Sequence, residues 1–280
     1  MTAAHIFVAF LLAAAAPPQQ PPKKLAVSYI ALHQFDGGPP LPASYSFVPG
    51  ETVFFTFSVE GFKATEDGQI KLNYVTQPTD AQKVPLVPPF AGKLEAELAP
   101  EDKNWHPKAR HEFILPSYLE PGAYRLQVIV KDELAGTEAV SEIAFHVRGR
   151  AIPPASAVAA RNFRFLRSEE DGEGLATPVY RPADTVWARF EITGYKLGEK
   201  NHFQVEYGLA VLSPSGKVLF SQPQAATEEE QPFYPRHWVS GVLSLTGRAD
   251  TKPGEYTLVL TVRDLVGKQS DESRHTFRVE

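Results

Sequence analysis

Phe233, Tyr234, Arg236, His237 and Trp238 crowd into a stretch with no strand period, and Trp105, His106 and Lys108 hold a corresponding region earlier in the chain. Aromatic faces beside polar groups stack on sugar rings or receive a partner's apolar anchor. Large aromatics are also highly buried on average, so Trp105 and Trp238 equally read as plugs for the open end of a β-sandwich. A second pair, Phe54 and Trp187, falls on the outward side of two matched alternating runs. Such a pair reads either as a docking surface or as two aromatics covered by a neighbouring loop, with the segment carrying Pro85, Pro88, Pro89 and Phe90 as the candidate cover for the first.

Chemistry beyond binding finds little support. The chain contains no G-x-S-x-G, H-E-x-x-H, P-loop or dinucleotide fingerprint, and His111-Glu112 is followed by Leu115 where a zinc site needs a second histidine. With no cysteine, there is no disulfide framework, thiolate metal site or cysteine nucleophile. The acidic run Glu169-Glu170-Asp171-Gly172-Glu173 and its counterpart Asp36-Gly37-Gly38 lack the alternating ligand spacing of a calcium loop, and read as solvated turns. No metal and no cofactor is expected. Paired carboxylates for glycoside hydrolysis meet in space rather than in sequence, so a hydrolase stays as a third reading.

The elements that must position these residues occur twice. Val48-Pro-Gly-Glu-Thr-Val-Phe-Phe-Thr-Phe-Ser-Val-Glu-Gly-Phe-Lys63 returns as Arg181-Pro-Ala-Asp-Thr-Val-Trp-Ala-Arg-Phe-Glu-Ile-Thr-Gly-Tyr-Lys196. Pro121-Gly-Ala-Tyr-Arg-Leu-Gln-Val-Ile-Val-Lys-Asp132 returns as Pro253-Gly-Glu-Tyr-Thr-Leu-Val-Leu-Thr-Val-Arg-Asp264. A repeat of this length predicts a duplicated domain. Within each copy the period is two, the signature of half-buried strands: Val53, Phe55, Phe57 and Val59 against Phe54, Thr56, Ser58 and Glu60, then Val186, Ala188, Phe190 and Ile192 against Trp187, Arg189, Glu191 and Thr193. Only Leu94 to Leu98 is left open to a helical turn.

Ile6 to Ala16 is an apolar run closing in four alanines before Pro17-Pro18, which reads as an export signal with a small-residue cleavage site. The run is too short to cross a bilayer stably, so no stable membrane span is expected after cleavage. The net charge of −5, with both signs interspersed, gives no basic footprint for nucleic acid. The expected organisation is a signal at 1–16, a Pro-rich spacer at 17–24, a first domain at 25–148, a linker at 149–159 containing Ile152-Pro153-Pro154, and a second domain at 160–280.

Gly122-Ala-Tyr124-Arg-Leu126 and Gly254-Glu-Tyr256-Thr-Leu258 resemble the tyrosine corner of immunoglobulin-like sandwiches, with Leu126 and Leu258 at the position that a disulfide cysteine holds in antibody domains. Tyr180-Arg-Pro-Ala-Asp-Thr-Val186 is similar to the strand entry of macroglobulin-type domains, and Phe47-Val-Pro-Gly-Glu-Thr-Val53 keeps the same form. The thioester cysteine of protease-trapping macroglobulins is missing, so that activity is not implied. The resemblance implies an all-β chain of two tandem antiparallel Ig-like β-sandwich domains.

From these features the sequence predicts an exported bacterial protein, periplasmic or secreted, that is not an enzyme. It would act as a binding or scaffold module toward another envelope or extracellular protein. Carbohydrate recognition through the loop aromatics is the alternative.

Overall fold

The computed structural model describes residues 24–99, 101–102 and 105–280; the expected signal and spacer residues 17–23 lie outside them. Eight strands occupy the first half: β1 (Ala26–His33), β2 (Ser46–Phe47), β3 (Thr52–Glu60), β4 (Gln69–Thr79), β5 (Phe90–Glu97), β6 (Lys108–Ile114), β7 (Gly122–Asp132) and β8 (Thr137–Val147). Eight more occupy the second: β9 (Ala159–Leu166), β10 (Val179–Tyr180), β11 (Thr185–Thr193), β12 (Phe203–Leu212), β13 (Val218–Glu230), β14 (Trp238–Thr246), β15 (Gly254–Asp264) and β16 (Gln269–Val279). The chain is all-β, built of several largely antiparallel sheets. In each half a three-stranded sheet accompanies a five-stranded one: β1-β3-β6 with β2-β8-β7-β4-β5, and β9-β11-β14 with β10-β16-β15-β12-β13. The two-residue strands β2 and β10 run parallel to β8 and β16, a departure from a purely antiparallel plan.

Alternation sends Val53, Phe55, Phe57 and Val59 into the first core and Val186, Ala188, Phe190 and Ile192 into the second. At roughly 1.5–3 kcal/mol for each fully buried large side chain, this patterning outweighs any local propensity. Leu94 to Leu98 shows that ranking. The segment open to a helical turn is strand through Glu97, because Leu94 and Ala96 pair with Leu72 and Ile70 of β4. Among the described residues the only helical feature is a 3₁₀ turn at Glu199–Asn201.

Both corner tyrosines donate to the carbonyl four residues upstream, Tyr124 to Glu120 and Tyr256 to Lys252, each at 2.7 Å. Two matched aspartates, 0% and 1% exposed, tie the loops at one end of each sandwich. Asp132 accepts the Lys63 N–H at 2.7 Å through one oxygen and the N–H groups of Leu134 and Ala135 through the other. Asp264 accepts the N–H groups of Lys196 at 2.9 Å and Gly267 at 2.8 Å. A buried carboxylate persists only with such partners.

The 149–159 segment is fastened to the second half. Arg150 lies 3.3 Å from the buried Glu191, Ile152 is buried, Val158 belongs to the second core and Ala159 already opens β9. Each half thus has a leading end, where β3 or β11 begins, and a trailing end, where it finishes.

Asp132→Ala and Asp264→Ala each remove a buried carboxylate and the acceptor of two or more partly buried N–H groups, and are expected to cost about 3 kcal/mol of unfolding free energy. Urea denaturation of both variants measures this; a loss below about 1 kcal/mol would mean that these loops are held by something else.

Candidate functional site

The irregular loop between β13 and β14 carries Phe233 to His237, with Trp238 opening β14. Its backbone is pinned at almost every carbonyl. Asn201 donates to the oxygens of Pro232 and Phe233, Tyr195 to that of Arg236 at 2.6 Å, Thr193 to that of His237 at 3.2 Å, and Arg236 Nε to that of Trp238 at 3.0 Å. A loop so satisfied holds one shape.

That shape meets the first half. Tyr118, in the turn between β6 and β7, donates its hydroxyl to the Tyr234 carbonyl at 3.0 Å and accepts the Trp238 indole N–H on its own carbonyl at 3.1 Å. The Tyr118 and Tyr234 rings stack with centroids 6.5 Å apart and planes 17° from parallel. The Arg236 guanidinium sits 5.5 Å from the Tyr118 centroid and 2.9 Å from the Glu230 carboxylate. Tyr234 also donates to Asp80 Oδ2 at 3.0 Å, while Asp80 Oδ1 accepts the N–H groups of Gln82 and Val84. The leading end of the first half is therefore bound to the trailing end of the second.

Cavities of about 310 and 510 Å³ flank this junction, and both are lined by Glu120 and His237. Asp80 and Glu120 share the smaller one. Both oxygens of Asp80 accept hydrogen bonds there.

Burial sets the electrostatics of the junction. It raises the Tyr234 hydroxyl above the ordinary tyrosine range, and the adjacent Asp80 carboxylate raises it further. Burial likewise raises Tyr118 and Tyr195, with the nearby Arg236 partly opposing it in both. All three are phenols, neutral donors, near neutral pH.

The structure brings Tyr234, Arg236 and Trp238 together and leaves the other candidates apart. Phe233 is exposed, and His237, which lines both cavities, is exposed as well. Trp105 is 41% exposed at the trailing end of the first half, and His106 lies 4.0 Å from Glu60. Phe54 and Trp187 lie half-buried on outward faces, and Phe90, from the suggested cover of Phe54, stacks on His111 at 3.7 Å. Sequence reasoning missed Tyr118, Asp80 and Tyr195. Only Tyr195 carried a signal, since Gly194-Tyr195-Lys196 repeats Gly61-Phe62-Lys63.

No family model and no curated protein matches the chain. Among solved structures it is similar to the C-terminal domain of the antigen I/II-family protein AspA of Streptococcus pyogenes, at 11% identity and a TM-score of 0.31 over 92% of this chain and 99% of that one. The C-terminal domain of the Streptococcus agalactiae antigen I/II polypeptide BspA gives 11% identity and 0.31 over 91% and 99%. Red sea bream transglutaminase gives 10% identity and 0.27 over 92% of this chain and 31% of that one. Scores this low carry no argument about function.

The raised tyrosines make a pH prediction. Their stabilisation is complete below about pH 10, where an unfolded tyrosine ionises, and is lost as pH rises from there toward the folded value. Each contributes a slope of about 1.4 kcal/mol per pH unit over that window. Tyr234→Phe is expected to cost about 1 kcal/mol at neutral pH and to flatten the alkaline decline by one such increment. Urea melts at pH 8, 10 and 11 measure both; an unchanged slope would remove Tyr234 from the junction's titrating set.

Proposed function

We propose that the chain is an exported, non-catalytic binding or scaffold protein of the bacterial envelope, periplasmic or secreted after loss of residues 1–16. In this reading residues 25–148 and 160–280 are tandem Ig-like sandwich domains that arose by duplication, 149–159 joins them, and the partner is another envelope or extracellular protein. The observation that carries the reading is the junction itself. The side chains best suited to gripping a ligand instead fasten one half to the other: Tyr234 and Trp238 donate across at 3.0 and 3.1 Å, and the Arg236 guanidinium lies 5.5 Å from the Tyr118 ring centroid. A fixed spacing between two modules suits a protein that presents surfaces, since loosely linked modules default to relative motion. Free strand edges at β5 and β13 remain for a partner to extend. Among the described residues, no helix is long and apolar enough to cross a membrane, which leaves strand-based spanning untouched.

The second reading, carbohydrate recognition, is favoured by one observation, the exposed face of Trp105. The two readings part on mutation and co-purification. Mild cross-linking in the native host followed by co-purification is expected to recover a discrete envelope protein with the wild type. The Tyr118→Ala/Tyr234→Ala double variant, folded but loosened, is expected to recover it at least about fivefold less well. Recovery of no specific protein by folded wild type would overturn the scaffold reading. Trp105→Ala with unchanged melting and lost retention on a glycan column would replace it with the carbohydrate one.

A further inference from the structure

The leading ends of the two halves differ at matched positions. In the first half Leu86, Leu115 and Leu119 close the end, and all three are buried. Leu115 donates its N–H to the Glu51 carbonyl as Gly247 does to that of Asp184, so a glycine stands at the position of a leucine. Leu119 and Thr251 correspond likewise, each donating to the residue three before it, ahead of a corner tyrosine. Leu86 lies on the long connection from β4 to β5, whereas β12 passes into β13 through the tight turn Ser213–Lys217, too short to carry a counterpart.

Without those three leucines the second leading end holds a cavity of about 350 Å³. Tyr180, Val186, Val211, Leu245, Tyr256 and Phe277 wall it, and the exposed Leu219 and Phe220 complete it. The hydroxyls of the wall are already engaged: Tyr180 donates to the Leu166 carbonyl, Tyr256 to that of Lys252 and Thr251 to that of Arg248, and Thr246 pairs with Thr185. Such a wall offers an occupant apolar contact. The space holds about ten groups the size of a water or a methylene.

A second exchange brings charge to the same place. Val48-Pro-Gly-Glu51 of the first half becomes Arg181-Pro-Ala-Asp184, and Arg181 and Asp184 both line the cavity, together with Arg248. Arg248 is held by Asp250 at 2.9 Å. The Asp184 carboxylate accepts the Arg181 backbone N–H at 2.7 Å, the same cap that Glu51 gives Val48 at 2.8 Å. Of the charged residues adjoining the wall, Arg278 is paired with Glu280 at 3.1 Å, and exposed Lys252 and Glu255 offset one another. The Arg181 guanidinium is exposed and unpaired among the described residues. An apolar space and an unpaired guanidinium therefore arise together, at the end where the first half has neither.

We propose that this end binds a single-chain anionic amphiphile, its chain in the cavity and its head group on the Arg181 guanidinium. A guanidinium receives a carboxylate or a phosphate through paired N–H donors, so either head group fits. A peptide would bury amide groups that this wall cannot pair, which an alkyl chain does not. The site lies within the second half and does not depend on any protein partner.

Calorimetric titration of the purified full chain with octanoate, octyl phosphate and octanol tests the site. The wild type is expected to bind at least one of the two anions saturably, with a single molecule on each chain. Arg181→Ala is expected to weaken that anion at least about fivefold and to leave octanol within about twofold. Gly247→Leu returns the leucine of the first half and is expected to weaken anion and octanol alike, by at least about tenfold. An added Cβ at Gly247 meets nothing closer than 3.5 Å, so the leucine is compatible with the fold, and Thr251→Leu is a second way to fill the cavity. No saturable binding of either anion up to about 1 mM overturns the proposal. So does undiminished binding by the folded cavity-filling variants, or an Arg181→Ala variant that spares the anion or loses octanol equally.

Discussion

A sandwich of two sheets buries its inner faces by alternation alone, but each end is an open seam that other residues must close. The rest of this chain is arranged around that constraint. Strand side chains project above and below the pleat, never along it, so no strand closes its own end. Loops must do so, and they bring polar backbone with them. At the trailing ends Asp132 and Asp264 satisfy that backbone with buried carboxylates. At the first leading end three leucines fill the seam, and Tyr234 of the second half packs against the same cluster.

This separation explains what could be read from the residues alone. The faces were legible because alternation is a local signal: Val53 to Val59 and Val186 to Ile192 are buried as their period requires. The tyrosine corners were legible because the hydroxyl reaches only four residues back. Leu94 to Leu98 was ambiguous because its neighbours in sequence say little, and its pairing with β4 decides it. The ends were not legible. Tyr118 and Tyr234 are 116 residues apart, and nothing near either one in the chain points to the other. Asp80 reads as an ordinary turn residue, and only the fold reveals that Tyr234 donates to it.

The same reasoning accounts for the role taken by the loop aromatics. Tryptophan and tyrosine combine a large apolar body with one donor, which suits any boundary where water is being excluded but backbone carbonyls persist. A ligand site and a module junction both meet that description, so composition alone cannot separate them. Position does: Trp238 and Tyr234 donate across to Tyr118 and Asp80, whereas Trp105 keeps its face in solvent.

Comparing the halves then locates where change is tolerated. Inward face positions keep their apolar character, Phe57 against Phe190 and Leu126 against Leu258, because any exchange there must still fill a space bounded on all sides. At the leading ends Leu115 faces Gly247 and Leu119 faces Thr251. An end is bounded on one side only, by whatever covers it, so its residues follow the cover and not the core. In the first half the cover is the second half, and tight apolar filling stabilises both. At the second leading end the wall of Tyr180, Val186, Val211, Leu245, Tyr256 and Phe277 encloses a cavity of about 350 Å³.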